Sequence, residues 1–166
     1  MIKSLQIEIY KSPILKKRAF PVGAITPSLK KLIQEMIVSM ELNEGVGLAA
    51  PQVGISQRII IVKDAEQNHG FLNPEILSHS KNQETDEEGC LSLPGIFLKI
   101  KRAKIVEVLA QTPQGKTVRI QAKGLGARIF QHEIDHLNGK LIIDRISPFK
   151  RFQIRKKLKN LQKGSK

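Results

Sequence analysis

Apolar residues recur at steps of three and four from Leu29 through Leu32, Ile33, Met36 and Ile37 to Met40, which predicts an amphipathic helix capped by Thr26 with Pro27 at its first position. Before it, residues 2–10 alternate polar and apolar, and 11–27 reads as extended chain and loop. Arg58 to Val62 is short and β-branched, a predicted buried strand, followed by a turn around Asn68-His69-Gly70 and an extended piece from Phe71 to Leu77. The polar, acidic stretch from Ser78 to Glu88 reads as a solvated loop, and neither His69 nor His79 is given a role. Alternation resumes at Ala103 and, across the turn Thr112-Pro113-Gln114-Gly115, predicts a hairpin whose return strand is Thr117 to Gln121. A second helix is predicted from about Leu125 to Asn138, with Gly139 as its stop.

The chain has 166 residues, enough for one domain and too few for two ordinary ones. No apolar run approaches the roughly 20 residues a membrane span needs, and the N-terminus lacks a signal peptide's apolar block. The single cysteine, Cys90, excludes an internal disulfide and fits a reducing compartment, so a cytoplasmic protein is expected. The formal net charge is +13. Much of it sits in residues 148–166, where Lys150, Arg151, Arg155, Lys156, Lys157 and Lys159 occur with no acidic residue, interspersed with Phe149, Phe152, Leu158 and Leu161. A basic helix and an anionic partner are expected there.

The chemistry is concentrated in Gln131-His132-Glu133-Ile134-Asp135-His136. On a helix His132 and His136, at i and i+4, lie on one face and can reach one metal ion. Glu133 is offset beside them, suited to take a proton from a water on the metal rather than to ligate it. Leu125 and Ile129 share that stripe, so the site is expected to be buried. A catalytic metal takes three protein ligands where a structural one takes four, and Cys90 would bring the count to three, although a lone buried cysteine by itself is more often packing than ligand. Gly45-Val46-Gly47-Leu48-Ala49-Ala50-Pro51-Gln52 follows neither regular period, so its backbone is expected to approach something closely, with Gln52 a polar group in an apolar setting.

That glycine-rich stretch, Glu88-Gly89-Cys90-Leu91-Ser92 and the histidine helix together resemble, in order and spacing, the three signature motifs of bacterial peptide deformylases. The basic tail is similar to that of their Gram-negative type. The resemblance implies an α+β fold, with mixed or antiparallel sheets wrapped around a central metal-bearing helix and a C-terminal helix. It implies a catalytic domain over 1–147 with 148–166 as its helical extension, and removal of the formyl group from the formylmethionine of nascent polypeptides. Cys90, His132 and His136 match the family's ligands, for ferrous iron natively, with zinc, nickel or cobalt as substitutes. Glu133 matches the general base, and Gln52 and the Leu91 N–H match the donors to the oxyanion. Val46, Leu125 and Ile129 match the methionine pocket, and Gly47 and Gly95 the backbone that pairs with the peptide. Glu88 and Arg102 match a supporting ion pair, and the basic tail implies docking to the ribosome. Gly126, Phe97 and Lys99 depart from the usual pattern.

Two rivals arise from the residues. A zinc metallopeptidase shares the His-Glu-x-x-His motif but needs a further ligand downstream, for which only Asp144 is available. A nucleic-acid-binding protein would explain the charge, yet at 4% aromatic residues there is little for base stacking.

Overall fold

Ile59-Ile60-Ile61-Val62 is buried along its whole length because it has a core on each side. Ile59 and Ile61 face Leu29, Ile33, Met36 and Met40, while Ile60 and Val62 face Ile129, Phe130 and Ile134. A strand covered on both faces has no reason to alternate. Around it the computed structural model, which describes residues 2–65 and 67–161, is built in chain order from α1 (Pro27–Leu42), β1 (Gly47–Ala49), β2 (Ile59–Asp64), β3 (Gln67–His79), β4 (Gln83–Glu88), β5 (Leu98–Ala103), β6 (Ile105–Gln111), β7 (Thr117–Lys123), α2 (Gly124–Leu137), α3 (Pro148–Gln153) and α4 (Arg155–Asn160).

Five strands form one sheet in the order β1-β2-β3-β6-β7, and β4 and β5 form a second; all pairings between these strands are antiparallel. Helix α1 covers one face of the large sheet. Helix α2 lies on the other, with the small sheet packed against it. The α+β expectation therefore holds, with antiparallel sheets around a buried helix.

Helix α1 begins as predicted, the Thr26 hydroxyl accepting from Leu29 N at 3.2 Å. At the other end of α2, Asn138 is the cap and Gly139 follows with φ +70°. Lys140 N donates to Asp135 O at 2.9 Å and Gly139 N to His136 O at 3.1 Å, the paired bonds of a Schellman stop.

Three expectations are corrected. Asn68-His69-Gly70 is not a turn but lies within β3, opposite Lys63, Val62 and Ile61. Gly70 is small because α1 packs over it: a Cβ there would sit 2.8 Å from Ile33 Cγ2. The acidic stretch is largely strand rather than loop, since β3 continues to His79 and Gln83–Glu88 is β4, opposite β5. The basic segment is two short helices, broken at Ile154, and its residues 162–166 lie outside the described residues. It is anchored by Leu158, which is buried beside Leu15, Leu93 and Leu141 in the core that also holds Cys90.

Candidate active site

Helix α2 stacks His132 and His136 one turn apart, with their Nε2 atoms 3.2 Å from each other. Cys90, two residues beyond the end of β4, brings its Sγ to 3.3 Å from His136 Nε2, and all three donor atoms lie within 4.8 Å of one another. Two nitrogens, each ~2.0–2.1 Å from a shared tetrahedral metal, are themselves about 3.3 Å apart. The donor set therefore fits one divalent cation of the borderline class that accepts both imidazole and thiolate. Burial opposes protonation of His132, but Cys90 and Glu88 more than offset this and hold it well above the usual imidazole range. His136 is pushed well below that range by burial and by the charge on His132.

Glu133 is 4% exposed, and its Oε2 has no hydrogen-bond partner among the described residues. Burial pushes its carboxyl up to about 7, where it can both accept and return a proton near neutral pH. What closes over Glu133 is the backbone of β1. A Cβ on Gly47 would collide with Glu133 Oε1 and lie 2.8 Å from Ile129 Cγ2, so the close approach expected of the glycine-rich stretch is an approach to α2.

Gln52 is fully buried, in the 3-10 turn Ala50–Val53 that follows β1. Its Oε1 accepts from Ala49 N at 2.8 Å, which turns the amide nitrogen towards Ser92 Oγ at 3.4 Å and Cys90 Sγ at 3.7 Å. The N-terminal segment braces this corner, with Glu8 N donating to Gln52 O and Tyr10 N to Ser92 O.

A cavity of about 500 Å³ opens beside these groups and is lined by Gln52, Cys90, Leu91, His132 and Glu133. Ile129 forms its buried floor, whereas Val46 and Leu125, 47% and 65% exposed, stand at its mouth. Gly95 also lines it, with φ +73°. Asp144, the ligand a metallopeptidase would need, is elsewhere: it accepts from Lys16, Leu141 N and Arg151.

The model of the polypeptide deformylase family matches residues 4–152. The chain belongs to that family. The peptide deformylase of Thermotoga maritima is 48% identical over 161 residues, covering 97% of this chain and 98% of the relative. Among solved structures, the Thermotoga maritima deformylase superposes with a TM-score of 0.85 at 49% identity over 87% of this chain and 99% of that one. The Legionella pneumophila deformylase does so with 0.90 at 40% identity over 96% of each. The activity is the deformylase one, hydrolytic removal of the N-formyl group from nascent polypeptides with a bound metal.

The Glu88–Arg102 ion pair is part of a larger network than the two residues named from sequence. Arg102 grips Glu88 through Nε and Nη2 at 2.9 and 3.0 Å, and its Nη1 reaches Asp135, which Arg145 also holds. Arg128 donates to Glu88 as well, and His132 Nδ1 stands 3.0 Å from Glu88 Oε2. Burial alone would raise the Glu88 carboxyl, but hydrogen bonds from His132 and Arg102 prevail and hold it at about 2. Arg128, Asp135 and Arg145 were not singled out from sequence. The only signal was charge, at two α2 positions seven residues apart in a stripe that also carries buried residues, and at Arg145 just beyond a 3-10 turn.

Proposed function

We propose that Cys90, His132 and His136 hold one divalent cation, ferrous iron natively with zinc, nickel or cobalt able to replace it, and that Glu133 is the acid–base group of deformylation. The observation that carries this is the convergence of Cys90 Sγ and the two Nε2 atoms beside a buried carboxyl whose Oε2 has no partner among the described residues. The preference for iron rests on likeness to the family, since a thiolate and two imidazoles suit several metals. When bound, such a cation lowers the pKa of a water and polarises a carbonyl oxygen. Glu133 takes a proton as the water oxygen joins the formyl carbon, and returns it to nitrogen as the C–N bond breaks, leaving formate and a free amine. Gln52 Nε2 and the Leu91 N–H donate to the oxygen on which negative charge develops, a contribution of about 3–4 kcal/mol per donor. Anaerobic assay of formyl-Met-Ala-Ser hydrolysis with metal analysis of the same sample tests this reading. Glu133→Ala is expected to keep its metal and lose turnover; turnover within tenfold of wild type, about 1.4 kcal/mol, would remove Glu133 from the chemistry.

The methionine side chain is placed over Ile129, between Val46 and Leu125, and the peptide backbone alongside Gly47 and Gly95. Support comes from topology, because β1 is the outermost strand of the large sheet and has an edge to offer an extended peptide. Glu88 and Arg102 hold the ligand His132 and the Cys90 segment in place.

Residues 148–166 are assigned to the same domain as 1–147, on the strength of buried Leu158. The exposed Phe149 and Phe152 with the lysines and arginines around them support docking to the ribosome in the cytoplasm, and the basic tail supports the Gram-negative type. Replacing Lys150, Lys156, Lys157 and Lys159 by Gln tests the docking without removing Leu158: ribosome binding is expected to fall while turnover of a short formyl peptide is kept. Unchanged binding would end this part of the reading.

A further inference from the structure

Arg128 lies on α2 one turn before His132, is 8% exposed, and lines the active-site cavity. A guanidinium so placed is costly to desolvate unless acceptors surround it. It has three: Glu88 Oε1 at 2.7 Å, Ile100 O at 2.9 Å and Glu84 O at 3.0 Å. The last two belong to β5 and β4, so one side chain reaches both strands of the small sheet. Each oxygen of Glu88 thereby has two partners, Oε1 facing Arg128 and Arg102, Oε2 facing His132 and Arg102. Arg102 comes from β5, near Glu88 itself. Arg128 and His132 come from α2, at i and i+4, and meet the two oxygens separately, so the carboxylate straddles one turn of the helix.

We propose that Arg128 is a positioning residue for the metal centre: by gripping Glu88 Oε1 it fixes where the Glu88 carboxylate stands along α2. This rests on the ligand set proposed above. Two consequences follow from the geometry. Glu88 Oε2 is aimed at His132 Nδ1, which leaves Nε2 as the nitrogen that faces His136 and Cys90. Cys90, only two residues beyond Glu88, is held where its sulfur meets His136. Without Arg128 the small sheet is still tied to α2 through Arg102 to Asp135 and through Gln131 to the backbone of Ala103, but the hold of α2 on Glu88 itself is reduced to the His132 ring.

The test is cobalt(II) titration of metal-free wild type, Cys90→Ala, R128M and R128K, followed through the thiolate-to-cobalt absorption and the cobalt ligand-field bands, well below each protein's own melting temperature. Wild type is expected to take up one equivalent with a thiolate band that Cys90→Ala lacks. R128M is expected to bind roughly 10- to 100-fold more weakly with displaced ligand-field bands, and R128K, which keeps a donor for Glu88, to recover to within about threefold. A wild type without the thiolate band, or a band that survives in Cys90→Ala, defeats the ligand set itself. A wild type that behaves as expected, beside R128M with affinity within about twofold and unmoved bands, overturns the role of Arg128 alone. So does a loss in R128M that R128K does not recover, since the bonds to Glu84 and Ile100 then account for it. If R128M does not fold, R128Q is judged by the same limits.

Discussion

Gly47 is the residue at which packing and chemistry meet most tightly, because β1 passes against the carboxylate of Glu133 with no room for a Cβ. Gly47→Ala is expected to shift Glu133, lower kcat about 100-fold and leave metal content unchanged, since displacement by about 1 Å suffices for such a loss. Steady-state kinetics beside metal analysis decide it, and an unaltered kcat would mean the strand simply moves away. Glu88 gives a prediction in acid. Its folded carboxyl stands at about 2 against roughly 4.3 in an unfolded chain, so between those values the unfolded state binds more protons. The stability Glu88 contributes is therefore complete above the upper value and lost as pH falls towards the lower. In denaturant titrations wild type is expected to lose its advantage over Glu88→Gln across that window, and a difference independent of pH would contradict it. At this scale the grouping of His132, His136 and Glu133 was legible because i, i+4 spacing puts them together on one helix, whereas Cys90 was joined to them only through the family resemblance. Arg128 and Asp135 were not legible, since a charge on a helix looks solvated until its partner strand is known.

Among the elements, α2 ends in a stop that is also a contact. A Cβ on Gly139 would lie 2.6 Å from Lys16 O, at a φ that other residues adopt with strain. Gly139→Ala is expected to destabilise by more than the roughly 1 kcal/mol of the backbone term alone, read as a lowered denaturation midpoint with an unchanged slope. Both helices were legible through period and caps. Strand β4 was not: Gln-Glu-Thr-Asp-Glu-Glu has almost no strand-forming residue, and it is a strand because β5 offers Lys99 and Lys101 across the ladder and only Glu88 turns inward. Gly70 misled for the opposite reason, a turn residue used instead to let α1 come close.

For the molecule as a whole, the basic segment and Cys90 share a core. Leu158 packs in the cluster that contains Cys90, so ending the chain at Ser147 removes more than positive charge. That truncation is expected to cost about 2–3 kcal/mol of stability by loss of the Leu158 contacts, and to lower metal retention with it. Calorimetry of both lengths with metal content measured would show this, and equal melting temperatures would sink it. The α+β architecture was expected from the family resemblance, with local periods giving α1, α2 and several strands, whereas this shared core joins segments far apart in sequence that nothing local connects.

The doubly covered strand β2 has a consequence for how the protein comes apart. Since odd and even residues of Ile59–Val62 serve different helices, neither α1 nor α2 can leave without exposing a flank of the same strand. The two halves therefore stand or fall together, and backbone amides of this strand are the ones expected to exchange with solvent only when the entire molecule opens.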